Sequence, residues 1–557
     1  MIGRKQALAA VEAESFDVVV VGGGVTGAGV ALDAASRGYS VALVERHDYA
    51  IGTSSRSSKM VHGGLRYLRN FDLGLVREAL LERQLMVQLA PHLVYPTQFL
   101  VPTVGDARRD RRIGIGLNMY DVMATSRIGR GRANRSEHGD DGGYWAPDRH
   151  RMISGEEAAE LAPALAPLDP TSAYLFYDCQ TDDARLVLTI LGEAERFGAV
   201  LLNDAEVTEV LDEGGRAAGV ACIDGESGER FEVRASNVVN ATGVWADRIR
   251  PDEILTEEEV PKIAPSRGAH IAIPTDLVDT GEAAFVVPAG EERTVMVLPW
   301  YGSTLIGPTD NDYDGDIDAV PPSEEDVNYL LDAVNAYLDL ELTPADVTGA
   351  YAGVRPLISS GDPKKSVDIS RKAELYETSS GMLTITGGKL TTWRRMAEET
   401  VDRLVQRDGQ VAPCRTDEIP LGMSAREGDL ETDIELPEGA AEQLAFRYGH
   451  AARRVLDVAE SDPALAKPML EGHPDLLAEA VIAARSEQAR SIADVLLRRT
   501  RLGLVDAVGL RDEAPRRAVA TTMARELGWS ATRIDDEVAG WDAVAAREGL
   551  DPAAFIT

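Results

Sequence analysis

The sequence predicts an α/β fold: a buried parallel sheet, a more strand-rich middle and a mostly helical C-terminal region. Three observations carry that prediction. Val18 to Val21 form an unbroken apolar run, as expected of a strand covered on both faces. Gly22, Gly24 and Gly27 follow at once in G-x-G-x-x-G spacing. From about residue 417 onward apolar residues recur at helical spacing, as in "PDLLAEAVIAARSEQARSIADVLLRR".

Taken in order, "FDVVVVGGGVTGAGVALDAASRGYSVALVER" reads as strand, glycine turn, helix and strand. The helix is the alanine-rich stretch 28–36, stopped by Gly38, and Ser40 to Val44 make the second strand. Residues 72–90 form an amphipathic helix, with Leu73, Val76, Leu80, Leu85 and Leu89 near helical spacing. The segment 106–150, rich in Arg, Gly and Asp, reads as a loop or insertion. Residues 182–211 read as helix then strands, followed by a hairpin-like region to 234. "ASNVVNATGVWA" (235–246) is a short strand ending in a glycine turn, and 262–310 alternate as strands do. The boundary before the helical region falls between Pro413 and Met423.

At 557 residues the chain exceeds what one core serves, so two or three domains are expected. The net charge of -35 repels polyanions, which argues against nucleic acid and against adsorption to anionic lipid over the whole surface. A small anionic substrate then needs a local cationic pocket. Only eight of the basic residues are lysines, a bias that salt adaptation or genomic base composition both produce. Cys179, Cys222 and Cys414 are scattered, so neither a disulfide framework nor a metal site is expected. No secretory signal or membrane-spanning run is visible, and a reducing cytosol fits.

The glycine turn carries the first functional signal. Its first glycine permits a tight turn and its second lets backbone approach a pyrophosphate. The third lets helix and strand pack, with the anion at the helix N-terminus. Glu45, at the end of the next strand, is placed to accept hydrogen bonds from a ribose and argues against a phosphorylated one. The motif alone does not separate NAD from FAD. With no second copy and no redox cysteine pair, a flavin–disulfide reductase using two dinucleotides is disfavoured.

Further motifs follow in a fixed order: "TSSRSSKMVHGGLRYL", "EALLERQLMVQLAPHLVYP", "DCQTDDARLVL", "VVNATGVWA", "SRGAHIAIP", "VMVLPW", "YAGVRPL" and "TGGKLTTWRRMAE". Together with the dinucleotide turn they resemble the FAD-dependent glycerol-3-phosphate dehydrogenases, a branch of the glycine-oxidase and D-amino-acid-oxidase-like flavoproteins, over roughly residues 16–400. One departure is "LIGPTD", where Pro308 stands in place of a threonine common in the family, beside Thr309 and Asp310.

The resemblance implies a Rossmann-like FAD-binding domain over 16–100, 180–262 and 345–412. It also implies an inserted antiparallel-sheet substrate (cap) domain over 101–179 and 263–344, and a C-terminal helical domain over 417–557. It implies oxidation of sn-glycerol 3-phosphate to dihydroxyacetone phosphate by hydride transfer to FAD, with electrons leaving to a membrane quinone. Arg66, Tyr67, Arg355 and Lys389 match the substrate site, and His62 and His270 are candidate bases for the hydroxyl proton. Arg355 and Lys389 count with the histidines as catalytic. Cofactor contacts fall on Gly22, Gly24, Gly27 and Glu45; on Ser54, Ser55, Ser58 and Lys59; on Ala241, Thr242 and Gly243; and on Gly387, Gly388, Lys389 and Leu390. Backbone amides after Gly387, at a helix beginning around Thr391, would stabilise negative charge on a reduced flavin. No metal is expected.

An oxidase of the same family that uses oxygen, an amine or amino-acid oxidase of this fold and a non-catalytic FAD-binding protein are the rival readings. The expected location is the cytoplasm. Peripheral contact with the inner face of the cell membrane and a homodimer both remain open at this point.

Overall fold

The computed structural model describes residues 2–65, 72–105, 111–124, 149–249, 262–290, 293–359 and 373–554. Their strands form two sheets. The first runs, in spatial order, Ala373–Glu377, Leu383–Gly387, Arg230–Asn240, Ser15–Val21, Val41–Val44 and Val200–Leu202; the hairpin strands Ala205–Asp212 and Ala217–Asp224 hang from Arg230–Asn240. From Leu383–Gly387 to Val200–Leu202 every neighbour is parallel.

The apolar run of the first strand explains why both faces of this sheet are covered. Successive side chains point to opposite faces. Val18 and Val20 enter the core under the helices Val25–Ser36, Asp183–Arg196 and Trp393–Arg407. Val19 and Val21 enter a second core with Ala7 and Val11 of the helix Arg4–Ala13 and with Val220 and Val233 behind. Burying each valine contributes about 1.5–3 kcal/mol. The helix that follows the glycine turn starts at Val25, three residues before the alanine-rich stretch. Gly27 lowers the helical signal of that first turn, yet the turn admits nothing larger: a Cβ there would lie 1.9 Å from the carbonyl oxygen of Gly22.

The second sheet has ten strands. Its main path runs Asn311–Asp312, Lys262–Pro274, Ser303–Gly307, Thr294–Trp300, Ala283–Pro288, Val94–Thr103, Ser172–Thr181 and Met60–Val61; Gly349–Ser359 pairs with Lys262–Pro274, and Arg151–Ser154 with Ser172–Thr181. All its pairings are antiparallel except that of Ala283–Pro288 with Val94–Thr103. One face buries Leu100, Leu175, Ile271 and Val297 against Val327, Leu330 and Val334 of the helix Glu324–Leu338. Phe99, Phe176, Trp300 and Tyr351 belong to a separate core that includes Ile492, Leu496 and Leu502 of the C-terminal region.

Two sequence expectations need correction. Gly349–Ser359 and the first seven residues of Val94–Thr103, which crosses the boundary at 100, fall within the segments assigned to the dinucleotide domain, yet both strands hydrogen-bond into the second sheet. Alternation identifies a strand but not its partners, which pairing over long range decides. Second, the segment 106–150 is not wholly loop, because Arg111–Ala124 is a helix. Its arginines and glycines mask the pattern; Tyr120 and Ala124 pack on Val76 and Leu80 of the helix Leu73–Leu89. No helix among the described residues is long and apolar enough to cross a membrane.

Candidate active site

Residues from both sheets line one cavity of about 1570 Å³. It begins at the dinucleotide turn. Gly22 has φ +109°, and a Cβ there would strike the Ala241 carbonyl oxygen at 2.7 Å, so the two glycine turns of the parallel sheet sit back to back. Gly24 faces open space except for the Ser54 hydroxyl, 3.1 Å from where a Cβ would stand. That hydroxyl accepts the Val25 N–H at 2.9 Å and so meets the helix N-terminus. Glu45 lines the cavity, and its carboxylate accepts N–H bonds from Gly23 at 2.6 Å and His47 at 3.0 Å. Burial raises its pKa above the usual carboxylate range.

The segment after the second strand divides its residues between the cavity and the interior. Ser54, Ser57 and Ser58 line the cavity; Ser55 and Lys59 do not. The Lys59 ammonium is fully buried and turned away, donating to Asp183 at 2.9 Å and to the Ser55 carbonyl at 2.6 Å; burial brings its pKa down to about 8. Its expected cofactor contact is therefore corrected: an adjacent carboxylate and carbonyl satisfy that charge inside the protein. Gly27 is likewise absent from the lining, since its role is the helix–strand packing described above.

Opposite lies the strand pair Lys262–Pro274 and Gly349–Ser359. Gly268 stands directly across from Gly353. A Cβ on Gly268 would lie 2.4 Å from the Arg355 guanidinium, and one on Gly307 would lie 2.3 Å from the His270 ring. These glycines make a bare floor on which Arg355 and His270 lie. Arg355 donates to Asp310 at 3.0 Å, to the Ser266 hydroxyl at 3.2 Å and to the Thr309 carbonyl at 3.1 Å. Next to Pro308, Thr309 accepts from the Ala269 N–H and donates to Asp326, so its hydroxyl is engaged within the sheet.

His270 is buried and stacks on Tyr351 with ring centres 4.9 Å apart, and its Nε2 meets the Ser58 hydroxyl at 2.9 Å. Nδ1 is buried with no hydrogen-bond partner among the described residues. Burial first, then the charges of Lys59 and Arg355, hold its pKa well below the usual imidazole value, so the ring is neutral at neutral pH. His62 also lines the cavity; its main chain is tied to Thr391, whose hydroxyl accepts the His62 N–H and donates to the His62 carbonyl, both at 3.1 Å. Gly63 N–H donates to the Tyr120 hydroxyl at 2.8 Å, which in turn bonds Asp178 at 2.9 Å.

Gly387 and Gly388, with φ of +77° and +72°, precede Lys389 and Leu390, and all four line the cavity. The helix expected around Thr391 opens as a tight turn over Leu390–Thr392 and becomes α-helical at Trp393. Ala241, Thr242 and Gly243 complete the wall. Arg66 and Tyr67 lie outside the described residues. Among the latter, no group of three or more side chains is arranged to hold a metal.

Sequence reading missed several lining residues: Arg56, Trp245 and Asp178, and the helix residues Arg112 and Met119. Arg56, Asp178 and Trp245 sit inside quoted motifs, but nothing in spacing shows which motif residues turn inward.

Comparison with known proteins agrees with this architecture. A family model described as FAD dependent oxidoreductase matches residues 17–413, and one described as the C-terminal domain of alpha-glycerophosphate oxidase matches residues 414–534. Glycerol-3-phosphate dehydrogenase 2 of Mycobacterium tuberculosis (strain ATCC 25618 / H37Rv) is 38% identical over 550 residues, 97% of this chain and 90% of its own. Aerobic glycerol-3-phosphate dehydrogenase of Bacillus subtilis (strain 168) is 35% identical over 87% of each chain. The solved structure of the glycerol-3-phosphate dehydrogenase from Bacillus halodurans complexed with FAD superposes with a TM-score of 0.76 at 27% identity, covering 98% of this chain and 97% of that one.

Proposed function

The chain belongs to the FAD-dependent glycerol-3-phosphate dehydrogenase family, and on that premise we propose that it oxidises sn-glycerol 3-phosphate to dihydroxyacetone phosphate and passes the electrons to a quinone. The residues present fit FAD on their own geometry. The cavity of about 1570 Å³ exceeds the ~300–1,000 Å³ of common ligand pockets, leaving room for a dinucleotide and a small substrate. Gly22 and Gly24 leave the helix N-terminus bare for a diphosphate, and Glu45 stands at the end of the neighbouring strand for a ribose. Main-chain amides after Gly387 and Gly388 would face the flavin's pyrimidine edge.

Bound FAD supplies the acceptor for the hydride that leaves the carbinol carbon and the route by which two electrons reach the quinone. The protein's part is binding, orientation and proton transfer. Arg355 offers a planar fork to the anionic substrate, already aimed by Asp310 and Ser266. Lys389 and Arg66 add positive charge in this reading, and Tyr67 a hydrogen bond. His270 takes the hydroxyl proton at Nε2, the ring nitrogen that meets the Ser58 hydroxyl. A ring of depressed basicity suffices, because the substrate hydroxyl becomes strongly acidic as hydride departs. His62 shapes the wall through its main-chain bonds to Thr391.

The observation that carries this reading is the pairing of a neutral imidazole and a guanidinium on adjoining strands above a glycine floor, within the cavity that starts at the dinucleotide turn. The experiment is anaerobic bleaching of the bound flavin by glycerol 3-phosphate, compared with glycerol and with glycine. Bleaching by glycine alone would convert the reading to an amine oxidase. Turnover with a soluble quinone analogue against dissolved oxygen then separates a dehydrogenase from an oxidase. The reading also places the protein at the cytoplasmic membrane face, where a quinone is met, as a peripheral protein; flotation with vesicles tests that, and sedimentation tests for a homodimer.

A further inference from the structure

Three arginines in one short run of the C-terminal region, Arg498, Arg499 and Arg501, are buried, and none points to its own helices alone. Arg498 and Arg499 pair with Asp48, just beyond Glu45. Arg501 reaches further. Its guanidinium pairs with Asp182 at 3.1 Å and with Asp183, and all three side chains are fully buried. Asp183 is the hub of the segment that carries Ser54 to Lys59. It accepts the Ser57 N–H at 3.0 Å, the Ser57 hydroxyl at 2.6 Å and the Lys59 ammonium at 2.9 Å.

That segment holds an unfavourable shape. Lys59 has φ +59°, a left-handed conformation that side chains other than glycine seldom adopt. Its ammonium closes back on the Ser55 carbonyl, and the Tyr351 hydroxyl donates to the Ser57 carbonyl at 2.9 Å. The result is the division described above: Ser57 and Ser58 line the cavity while Ser55 and Lys59 do not. Ser54 meets the helix N-terminus and Ser58 meets His270, so one short segment touches both ends of the site. Removing Arg501 would leave Asp183 with Lys59 as its one remaining ion-pair partner among the described residues, and two adjacent buried carboxylates less compensated.

We propose that Arg501 of the C-terminal region is a positioning residue: through Asp183 it locks the Ser54–Lys59 segment into its cavity-facing conformation, so that the helical domain governs how tightly the cofactor is held. The proposal rests on FAD occupying this cavity but not on the identity of the substrate.

The test measures FAD release from holoenzyme by the rise of free-flavin fluorescence after dilution, alongside the bound flavin's visible spectrum and the melting temperature. Arg501→Met and Asp183→Asn should release FAD at least ~10-fold faster, the effect of losing about one charge-assisted bond, with a shifted flavin spectrum. Arg501→Lys, which keeps charge without the fork, should fall between, and it stands in if Arg501→Met does not fold. The control is Arg185→Met. It removes the side-chain bonds to Glu487 and to the Arg499 carbonyl between the same two parts of the chain, and it keeps the main-chain Arg185 N–H that Asp182 accepts. That variant should melt earlier yet release FAD at the wild-type rate. Wild-type release from the Arg501 and Asp183 variants would overturn the proposal. So would equally fast release from Arg185→Met at an equal loss of melting temperature, since general loosening then accounts for everything. If wild-type protein holds FAD but is not reduced by glycerol 3-phosphate, the proposed activity fails while the release experiment still decides this point.

Discussion

Arg355→Met tests how so acidic a chain holds an anionic substrate. With a net charge of -35, the protein's long-range field repels glycerol 3-phosphate, so binding depends on local cations. A charge-assisted hydrogen bond contributes roughly 1.5–3 kcal/mol, or about 10- to 150-fold in affinity. Two features of the structure place Arg355 toward the lower end. Its side chain is 24% exposed, which admits screening, and Asp310 at 3.0 Å offsets part of its charge. A weakening of about 10-fold is therefore expected in the glycerol 3-phosphate concentration that half-bleaches the flavin anaerobically at fixed ionic strength, with FAD still bound. The preference over unphosphorylated glycerol should shrink with it. Asp310→Asn should leave affinity unchanged or improve it, because a carboxylate beside the anion is gone. The double variant should then bind better than Arg355→Met alone. Wild-type affinity and selectivity in Arg355→Met would refute the reasoning.

Other outcomes follow from the same geometry. His270→Gln should slow anaerobic flavin reduction by ~100- to 10,000-fold while His62→Gln leaves it near wild type; the reverse order would move the proton acceptor to His62. His270 also sets an acid sensitivity. Its folded pKa lies well below the unfolded value of about 6.5, so below that pH the unfolded chain binds the extra proton first, and stability falls by up to about 1.4 kcal/mol per pH unit. The contribution is fully present above about pH 6.5. His270→Gln should therefore lose less melting temperature than wild type on going from neutral to mildly acidic buffer, and equal losses would contradict the assignment. Finally, Gly27→Ala forces a Cβ against the Gly22 carbonyl and should cost about 1–3 kcal/mol or more, with loss of flavin, as read by denaturant unfolding and absorbance. Gly24→Ala meets the Ser54 hydroxyl alone and should fold normally, whereas a bulky residue at Gly24 should exclude the diphosphate and leave the protein colourless.

Local chemistry made part of this protein legible from its sequence. The valine run, the glycine spacing and Glu45 are governed by short-range rules: period-2 burial, turn geometry and close backbone approach all act within a few dozen residues. The helices Leu73–Leu89 and Asp183–Arg196 are readable for the same reason, whereas the end of the hairpin-like region and the short strand expected from 235 are one continuous strand, Arg230–Asn240. Tertiary structure decided what pairing and burial settle over long range. It assigned Val94–Thr103 and Gly349–Ser359 to the second sheet, and it formed a helix at Arg111–Ala124 where charge and glycine obscured the pattern. It also separated Lys59 from Ser58: neighbours in one motif, the first is enclosed by Asp183 and the second faces His270. No spacing rule distinguishes them, because a lysine's direction depends on which carboxylate the fold brings within reach, here one 124 positions away and completed by an arginine from the other end of the chain.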